Sequence, residues 1–242
     1  MDEDYPRRSY IRNPKSHIRN RLNSHAPWRL TSCLLSHLHV VRLAHTLALM
    51  QIVSGKFRHR KLESNPGETT RPITARVKVS LFDRLQPEMQ GARVADVFAG
   101  TGTIGLEALS RGAASVVFIE SDRQAVERLR RNVAALKAGE ETMCWQTDAS
   151  KCSFRPKGGE KFLPYDVVFF DPPYLFTTRL KAGTMLYKSL ERLARDEVTG
   201  PEALLVFRCA SKTTFEVPAA WHPDRRLDFS SMEVHLFRKQ LP

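Results

Sequence analysis

From residue 93 onward, short apolar runs alternate with segments whose apolar residues recur every three or four positions. Arg93 to Phe98 and Ser115 to Ile119 read as strands, the second rich in β-branched residues, and Thr142 to Thr147, Asp166 to Phe170 and Ala203 to Phe207 read likewise. Between them, Thr103 to Ser110 predicts a helix closed by Arg111-Gly112, and Leu186 to Leu193 predicts another. Ser121-x-x-Gln124 has the form of a capping box that opens a helix with Val126, Leu129, Val133 and Leu136 on one face. Glu233 to Phe237 predicts a last strand. Strands alternating with helices imply a parallel sheet covered on both faces, an α/β fold.

The chain ahead of this region has a different pattern. After Pro72, the residues Val77, Leu81, Phe82 and Leu85 fall at helical spacing, and Pro87 is read as the end of that helix. Gln51 to Ser54 and then Gly55 lead into Lys56 to Leu62, which alternates basic and other residues like a hairpin with one charged face, and Pro66-Gly67 marks a turn. Residues 1 to 49 hold five of the eight histidines and many Arg, Asn and Ser, with a short apolar run only at Leu34 to Leu49. Three parts are therefore expected: an extension over 1–49, poorly ordered or lying ahead of a true start at Met50; a hairpin and helix over 50–88; and a core domain over 89–242.

Composition narrows the partners. With 242 residues, 42% hydrophobic and 26% charged, the chain can bury one sizeable core. Its 38 Lys and Arg against 26 Asp and Glu give +12, an excess that favours a polyanion without choosing between nucleic acid and anionic lipid. No run approaches the roughly 18 apolar residues of a spanning helix, so no membrane association is expected. Cys33, Cys144, Cys152 and Cys209 form no C-x-x-C pair and no zinc-ligand spacing. The expectation is reduced thiols, no metal and a cytoplasmic protein.

Chemistry enters with Asp96-Val97-Phe98-Ala99-Gly100-Thr101-Gly102-Thr103-Ile104-Gly105, where a strand gives way to a helix. Open α/β sheets bind ligands at that point, and glycines there let the backbone approach a small molecule. Gly100-x-Gly102-x-x-Gly105, with Glu120 twenty residues beyond Gly100, also fits a dinucleotide fingerprint. Asp96 separates the readings: a carboxylate at the strand end repels a pyrophosphate but can hold the ammonium of an amino-acid cofactor such as S-adenosylmethionine (SAM). Asp96 as a turn cap, and Glu120 as a helix-capping acid before Asp122, are the plainer alternatives.

Asp171-Pro172-Pro173-Tyr174 directly follows the strand Val167 to Phe170. The prolines remove two backbone donors and fix φ, so the loop offers acceptors on a rigid frame with an aromatic ring beside them. The Asp171 carboxylate and Pro172 carbonyl can accept both hydrogens of an exocyclic base amine and aim its lone pair at a methyl group, while Tyr174 stacks on the base. A chain stop with Tyr174 as rim packing is the alternative.

Together these segments resemble the RsmD family of 16S rRNA guanine-N2 methyltransferases, within the class I SAM-dependent methyltransferases. The resemblance covers about Met50 to Phe237 and rests on four stretches. These are Ser54-Gly55-Lys56-Phe57-Arg58-x-Arg60-Lys61-Leu62, Thr70-Arg71-Pro72-x-Thr74-x-Arg76-Val77, the Asp96–Gly102 loop continued by Gly105-Leu106-Glu107-Ala108-Leu109-Ser110-Arg111-Gly112-Ala113, and Asp171-Pro172-Pro173-Tyr174. It implies a seven-stranded, mostly parallel sheet with the last strand antiparallel, SAM over the strand ends, and no metal. Asp96, Phe98, Gly100, Thr101 and Gly102 would line the methionine half of SAM, Glu120 and Ser121 its ribose, and Asp148 and Ala149 its adenine; Asp148 reads equally as a loop acid. The implied partner is 16S rRNA or an assembling 30S subunit, met by a monomer. The chain departs from the family at Ala75, usually Asp; at Lys78-Val79, usually Arg-Glu; at Arg208-Cys209, in the region of a usual Glu; and at Ser231-Met232, usually a turn with Gly.

The basic residues Lys56, Arg58, Arg60, Lys61, Arg71 and Arg76 are expected to meet phosphates, against the alternative of a solvated charged face. Arg123, Arg128, Arg130 and Arg131 read as the wet side of a helix. The rival functions are a DNA adenine-N6 methyltransferase, an NAD-linked oxidoreductase and a non-catalytic RNA-binding protein on this fold.

Overall fold

The computed structural model describes residues 50–64 and 73–240. The expected extension over 1–49, the apolar run at Leu34 to Leu49, the Pro66-Gly67 turn and Arg71 lie outside the described residues. In chain order the elements are β1 (Met50–Gln51), β2 (Lys61–Leu62), α1 (Ala75–Met89), β3 (Arg93–Val97), α2 (Thr103–Ser110), β4 (Ser115–Glu120), α3 (Arg123–Leu136) and β5 (Thr142–Gln146). They continue with β6 (Tyr165–Phe170), α4 (Tyr174–Thr177), α5 (Met185–Leu193), β7 (Thr199–Ala210), β8 (Trp221–Phe229) and β9 (Met232–Lys239).

Seven strands form one sheet in the order β5-β4-β3-β6-β7-β9-β8. β3 to β7 pair in parallel, and β9 inserts antiparallel between β7 and β8. The α/β fold expected from the alternation is thus present, with one strand reversed. Successive side chains of the central strands are buried on opposite faces. Val94, Val116, Phe118, Val167 and Phe169 pack with Leu81, Phe82, Leu106 and Leu129 of α1, α2 and α3. Ala95, Val97, Val117, Ile119, Val168 and Phe170 pack with Leu190 and Leu193 of α5 and with Trp221. Each strand is apolar on both sides because helices cover both sides.

Three expectations are corrected. α1 continues past Pro87 to Met89, because a proline in the last turn forfeits few hydrogen bonds and Met89 is fully buried. Ser121 does not cap α3: Asp122 does, its carboxylate accepting the Ala125 N–H at 2.7 Å. The hairpin is much shorter than its charge alternation suggested. β1 and β2 pair over two residues each, and residues 53–60 form a looped turn.

That turn is docked by buried charge. Glu107 of α2 is wholly buried and accepts the Val53 and Ser54 amides at 2.8 and 3.1 Å. Lys78 of α1 lies 3.3 Å from the same carboxylate and donates to the Gln51 carbonyl, and Arg111 donates to its other oxygen at 2.9 Å. Removing one member of such a group leaves an uncompensated buried charge, which typically costs about 3–5 kcal/mol. Lys78 therefore serves a structural purpose despite departing from the family pattern.

Candidate active site

The site is built at the carboxyl ends of three neighbouring strands, β4, β3 and β6. At the end of β3 the chain turns sharply: Phe98 adopts φ +68°, and both its N–H and that of Ala99 reach the Ile119 carbonyl of β4. A positive φ at a bulky non-glycine residue stores strain of the kind found at ligand sites. The Phe98 ring stands edge-on to Phe170, with centroids 5.3 Å apart. Gly100 and Gly102 follow at φ +55° and +84°, and Gly102 begins α2.

The glycines serve two purposes that the sequence did not separate. A β-carbon on Gly102 would meet Leu129 at 2.3 Å, and one on Gly105 would meet Phe118 at 2.4 Å. The missing side chains of these two let α2 pack against α3 and β4. Thr101 is buried, its carbonyl held by Asn132 of α3.

Asp96 is 1% exposed and its Oδ2 accepts the Gly105 N–H at 2.8 Å, so it does anchor the helix start. That single bond does not account for its electrostatics. Burial pushes its carboxyl up to about 7; the Gly105 amide opposes the shift, and the negative charges of Asp171 and Glu120 add to it. Asp96 thus feels the carboxylates at the ends of both neighbouring strands. A gap with this field disfavours a pyrophosphate and suits a cationic ligand.

Glu120 is tied into the glycine loop: Oε2 accepts the Gly100 N–H, and Oε1 accepts those of Ser121 and Asp122, each at 2.8 Å. Because Asp122 caps α3, the helix-cap reading of Glu120 is displaced. Ser121 is exposed beside it. Beyond β5, Asp148 is half-buried and closes its own turn on the Ser150 N–H, whose hydrogen bonds hold its carboxyl below the usual range. Ala149 is buried, its carbonyl gripped by Ser189 and Arg192 of α5. Asp148 and Ala149 therefore flank the same row of strand ends on a fixed loop.

On the other side of β3, Pro172 is buried, and Pro173 precedes α4 with its carbonyl accepting the Phe176 N–H. The Asp171 carboxylate is not free. Arg208 of β7 donates Nε to Oδ1 at 2.7 Å and places Nη2 2.7 Å from Oδ2. Burial raises the Asp171 carboxyl, while the Arg208 charge and hydrogen bonds pull it down. The same guanidinium stands 5.7 Å from the centroid of the half-buried Tyr174 ring. Sequence reasoning noted Arg208 only as a departure and missed this pairing.

Of the six expected phosphate-binding residues, Arg71 lies outside the described residues, and the other five are carried by two separate elements, the 53–62 segment and α1. Lys56 donates its backbone N–H to Ser110 at the end of α2, its ammonium lies 3.4 Å from Glu141 just before β5, and Arg60 reaches the Ala135 carbonyl near the end of α3. Lys56 and Arg60 are thus tied to the amino-end edge of the sheet, and Arg58 and Lys61 are exposed on the same stretch of chain. Arg76 is exposed in the first turn of α1.

This sheet order, a glycine turn after β3, an acid ending β4 and an Asp-Pro-Pro-Tyr loop after β6 define a class I SAM-dependent methyltransferase. The chain belongs to the family described as conserved hypothetical protein 95, whose model matches residues 50–238, and this is the RsmD family. It is 32% identical over 192 residues to the ribosomal RNA small subunit methyltransferase D of Escherichia coli strain K12, covering 79% of this chain and 90% of that protein. Among solved structures, the Escherichia coli methyltransferase yhhF superposes with a TM-score of 0.65 at 29% identity, over 81% of this chain and all of that one. An RNA methyltransferase of Salinibacter ruber, solved with S-adenosyl-L-homocysteine, shares the fold at 18% identity and a TM-score of 0.52, over 71% of this chain and 97% of that one.

Proposed function

We propose that the protein transfers a methyl group from SAM to an exocyclic amine in small-subunit ribosomal RNA, the N2 amine of a guanine in 16S rRNA. One observation carries the reading: Asp96, Glu120 and Asp171 converge on adjacent strand ends, with a rigid proline loop at one side. The relatives named as ribosomal RNA methyltransferases support the choice of RNA.

Asp96 and the turn Phe98, Gly100, Thr101 and Gly102 hold the methionine half of SAM, Glu120 and Ser121 its ribose, and Asp148 and Ala149 its adenine. When bound, SAM supplies a methyl group on an electron-poor sulfonium. Asp171 and the Pro172 carbonyl accept the two amine hydrogens, fix the nitrogen and leave its lone pair pointing into the site, and Pro173 keeps the loop stiff. The charge on Asp171 offsets the positive charge that grows on that nitrogen. The base packs on the Tyr174 face opposite Arg208, which requires it to leave its helical stack.

Arg76, in the first turn of α1, meets RNA near the transfer site, while Lys56, Arg58, Arg60 and Lys61 meet phosphates around the basic turn; Arg71, outside the described residues, is assigned to phosphate as well. A substrate that touches both is a folded RNA or a cytoplasmic assembling subunit rather than a short strand. The positive charge is assigned to RNA because the relatives are named as ribosomal RNA methyltransferases.

The test presents radiolabelled SAM with undermethylated 30S particles, naked 16S RNA and duplex DNA. Label recovered as N2-methylguanine in RNA is expected; label on adenine N6 of the duplex, or on no nucleic acid, overturns the reading.

A further inference from the structure

Phe170 of β6 and Phe207 of β7 are register partners in a parallel pair. The next residue on each strand is therefore a neighbour of the other: Asp171 beside Arg208. The contact follows from the sheet register itself, and it is a two-point one, Nε to Oδ1 and Nη2 toward Oδ2, both at 2.7 Å, with the side chains 14% and 21% exposed. A side-on guanidinium fork is the geometry that orients a carboxylate most firmly. Arg208 also lies over the Tyr174 ring. It thus touches both ends of the Asp171-Pro172-Pro173-Tyr174 loop.

The cost of this placement shows in the third nitrogen. Nη1 of Arg208 is buried and has no hydrogen-bond partner among the described residues. A charged donor left unsatisfied in this way is unfavourable, and an arginine serving packing alone would be expected to satisfy it. The guanidinium is positioned for Asp171 at the expense of its own hydrogen bonding.

We propose that Arg208 is a positioning residue for methyl transfer, clamping the Asp171 carboxylate in the orientation and ionised state that receive the substrate amine. The proposal rests on the amine-transfer reading above. A protonated Asp171 would carry a hydrogen where an amine hydrogen has to land, so the site works only with the carboxylate charged. Burial favours the protonated form. Asp96, facing from β3, has its own carboxyl raised by the Asp171 charge and so yields its proton later. Tyr174, on the loop itself, is the other titratable group against the guanidinium. Arg208, from β7, is the cation whose charge and hydrogen bonds oppose that effect of burial.

The experiment compares wild type, Arg208→Lys and Arg208→Gln in the full chain. Carbon-13 carboxyl NMR follows the Asp171 titration in the free protein, assigned through Asp171→Asn. Single-turnover transfer to undermethylated 30S particles is then measured across pH. In Arg208→Gln, the Asp171 titration and the acid limb of the rate should both move to higher pH, with the plateau rate down about 10²-fold. Arg208→Lys keeps the charge but loses the fork, so its acid limb should stay near wild type while its plateau falls. SAM affinity should change little in either. An unmoved Asp171 titration in a folded Arg208→Gln protein overturns the proposal, as does a wild-type rate in both variants. Absence of transfer by wild type itself would instead sink the amine-transfer reading, and the NMR titration would still decide the Asp171–Arg208 coupling.

Discussion

Gly55 lies so close to Ser110 that a β-carbon on it would stand 1.8 Å from the Ser110 carbonyl oxygen. The same carbonyl accepts the Lys56 N–H at 2.8 Å, and Gly55 adopts φ +82°. The basic turn is therefore seated on the end of α2 through a backbone contact that only glycine permits, and the Glu107 carboxylate holds the residues just before it.

Gly55→Ala should consequently unseat the turn. Both the clash with backbone and the positive φ oppose it, and a destabilisation of about 2–4 kcal/mol is expected. Thermal unfolding reads the loss directly. Calorimetry on the folded protein should show nearly unchanged SAM affinity, because Gly55 contacts the end of α2 opposite its glycine start, while binding to small-subunit RNA weakens. A melting temperature equal to wild type would show that the turn is not held as described.

Where burial followed a simple period, the chain could be read directly. β3, α2 and β4 have the bounds expected within a residue, since each is an uninterrupted apolar run or a clear helical face. β8 was invisible for the opposite reason: of its nine residues only Trp221 is buried, and His222, Pro223, Asp224, Arg225 and Arg226 show no apolar alternation. As the edge strand it needs only one partner, and it tolerates Pro223 beside a register shift. The site followed the same logic. Asp96, Glu120 and Asp171 stand out as acids within or just after apolar runs, but Arg208 is brought to Asp171 by the pairing of β6 with β7, which no local pattern encodes.

The Asp96 carboxyl gives a pH-dependent prediction. Its folded value of about 7 lies above the ordinary 3.8, so the folded state binds more protons than the unfolded chain in that interval. Its contribution to stability is therefore greatest below about pH 4 and is lost progressively as pH rises through 7. Asp96→Asn keeps an acceptor for the Gly105 N–H and removes this dependence, so the variant should be more stable than wild type at pH 8. SAM binding should behave in the reverse sense. A cationic ligand favours the ionised carboxylate, so wild-type affinity should rise as pH passes 7, whereas the Asn variant binds weakly with little dependence on pH. Melting curves and calorimetry from pH 5 to 8 check both trends, and parallel profiles for the two proteins would contradict the assignment.

Asp171→Asn separates transfer from cofactor binding. Asn retains one acceptor oxygen but not the negative charge that offsets the charge growing on the amine nitrogen, and losing one preorganised contact of that kind typically costs about 10² to 10³ in rate. The ion pair adds a second consequence. Arg208 would lose its anion while staying largely covered, so the variant should also be less stable, by roughly 1–3 kcal/mol for a charged hydrogen-bonded partner that keeps some solvent. SAM affinity should stay close to wild type, since the residues assigned to SAM are carried by β3, β4 and the loop after β5. Melting temperature, SAM calorimetry and single-turnover transfer on the same preparation therefore give three separable readings: a modest loss, little change and a large loss. Transfer at near wild-type rate by a folded Asp171→Asn protein would remove the carboxylate from the chemistry, and with it the claim that an amine is the acceptor.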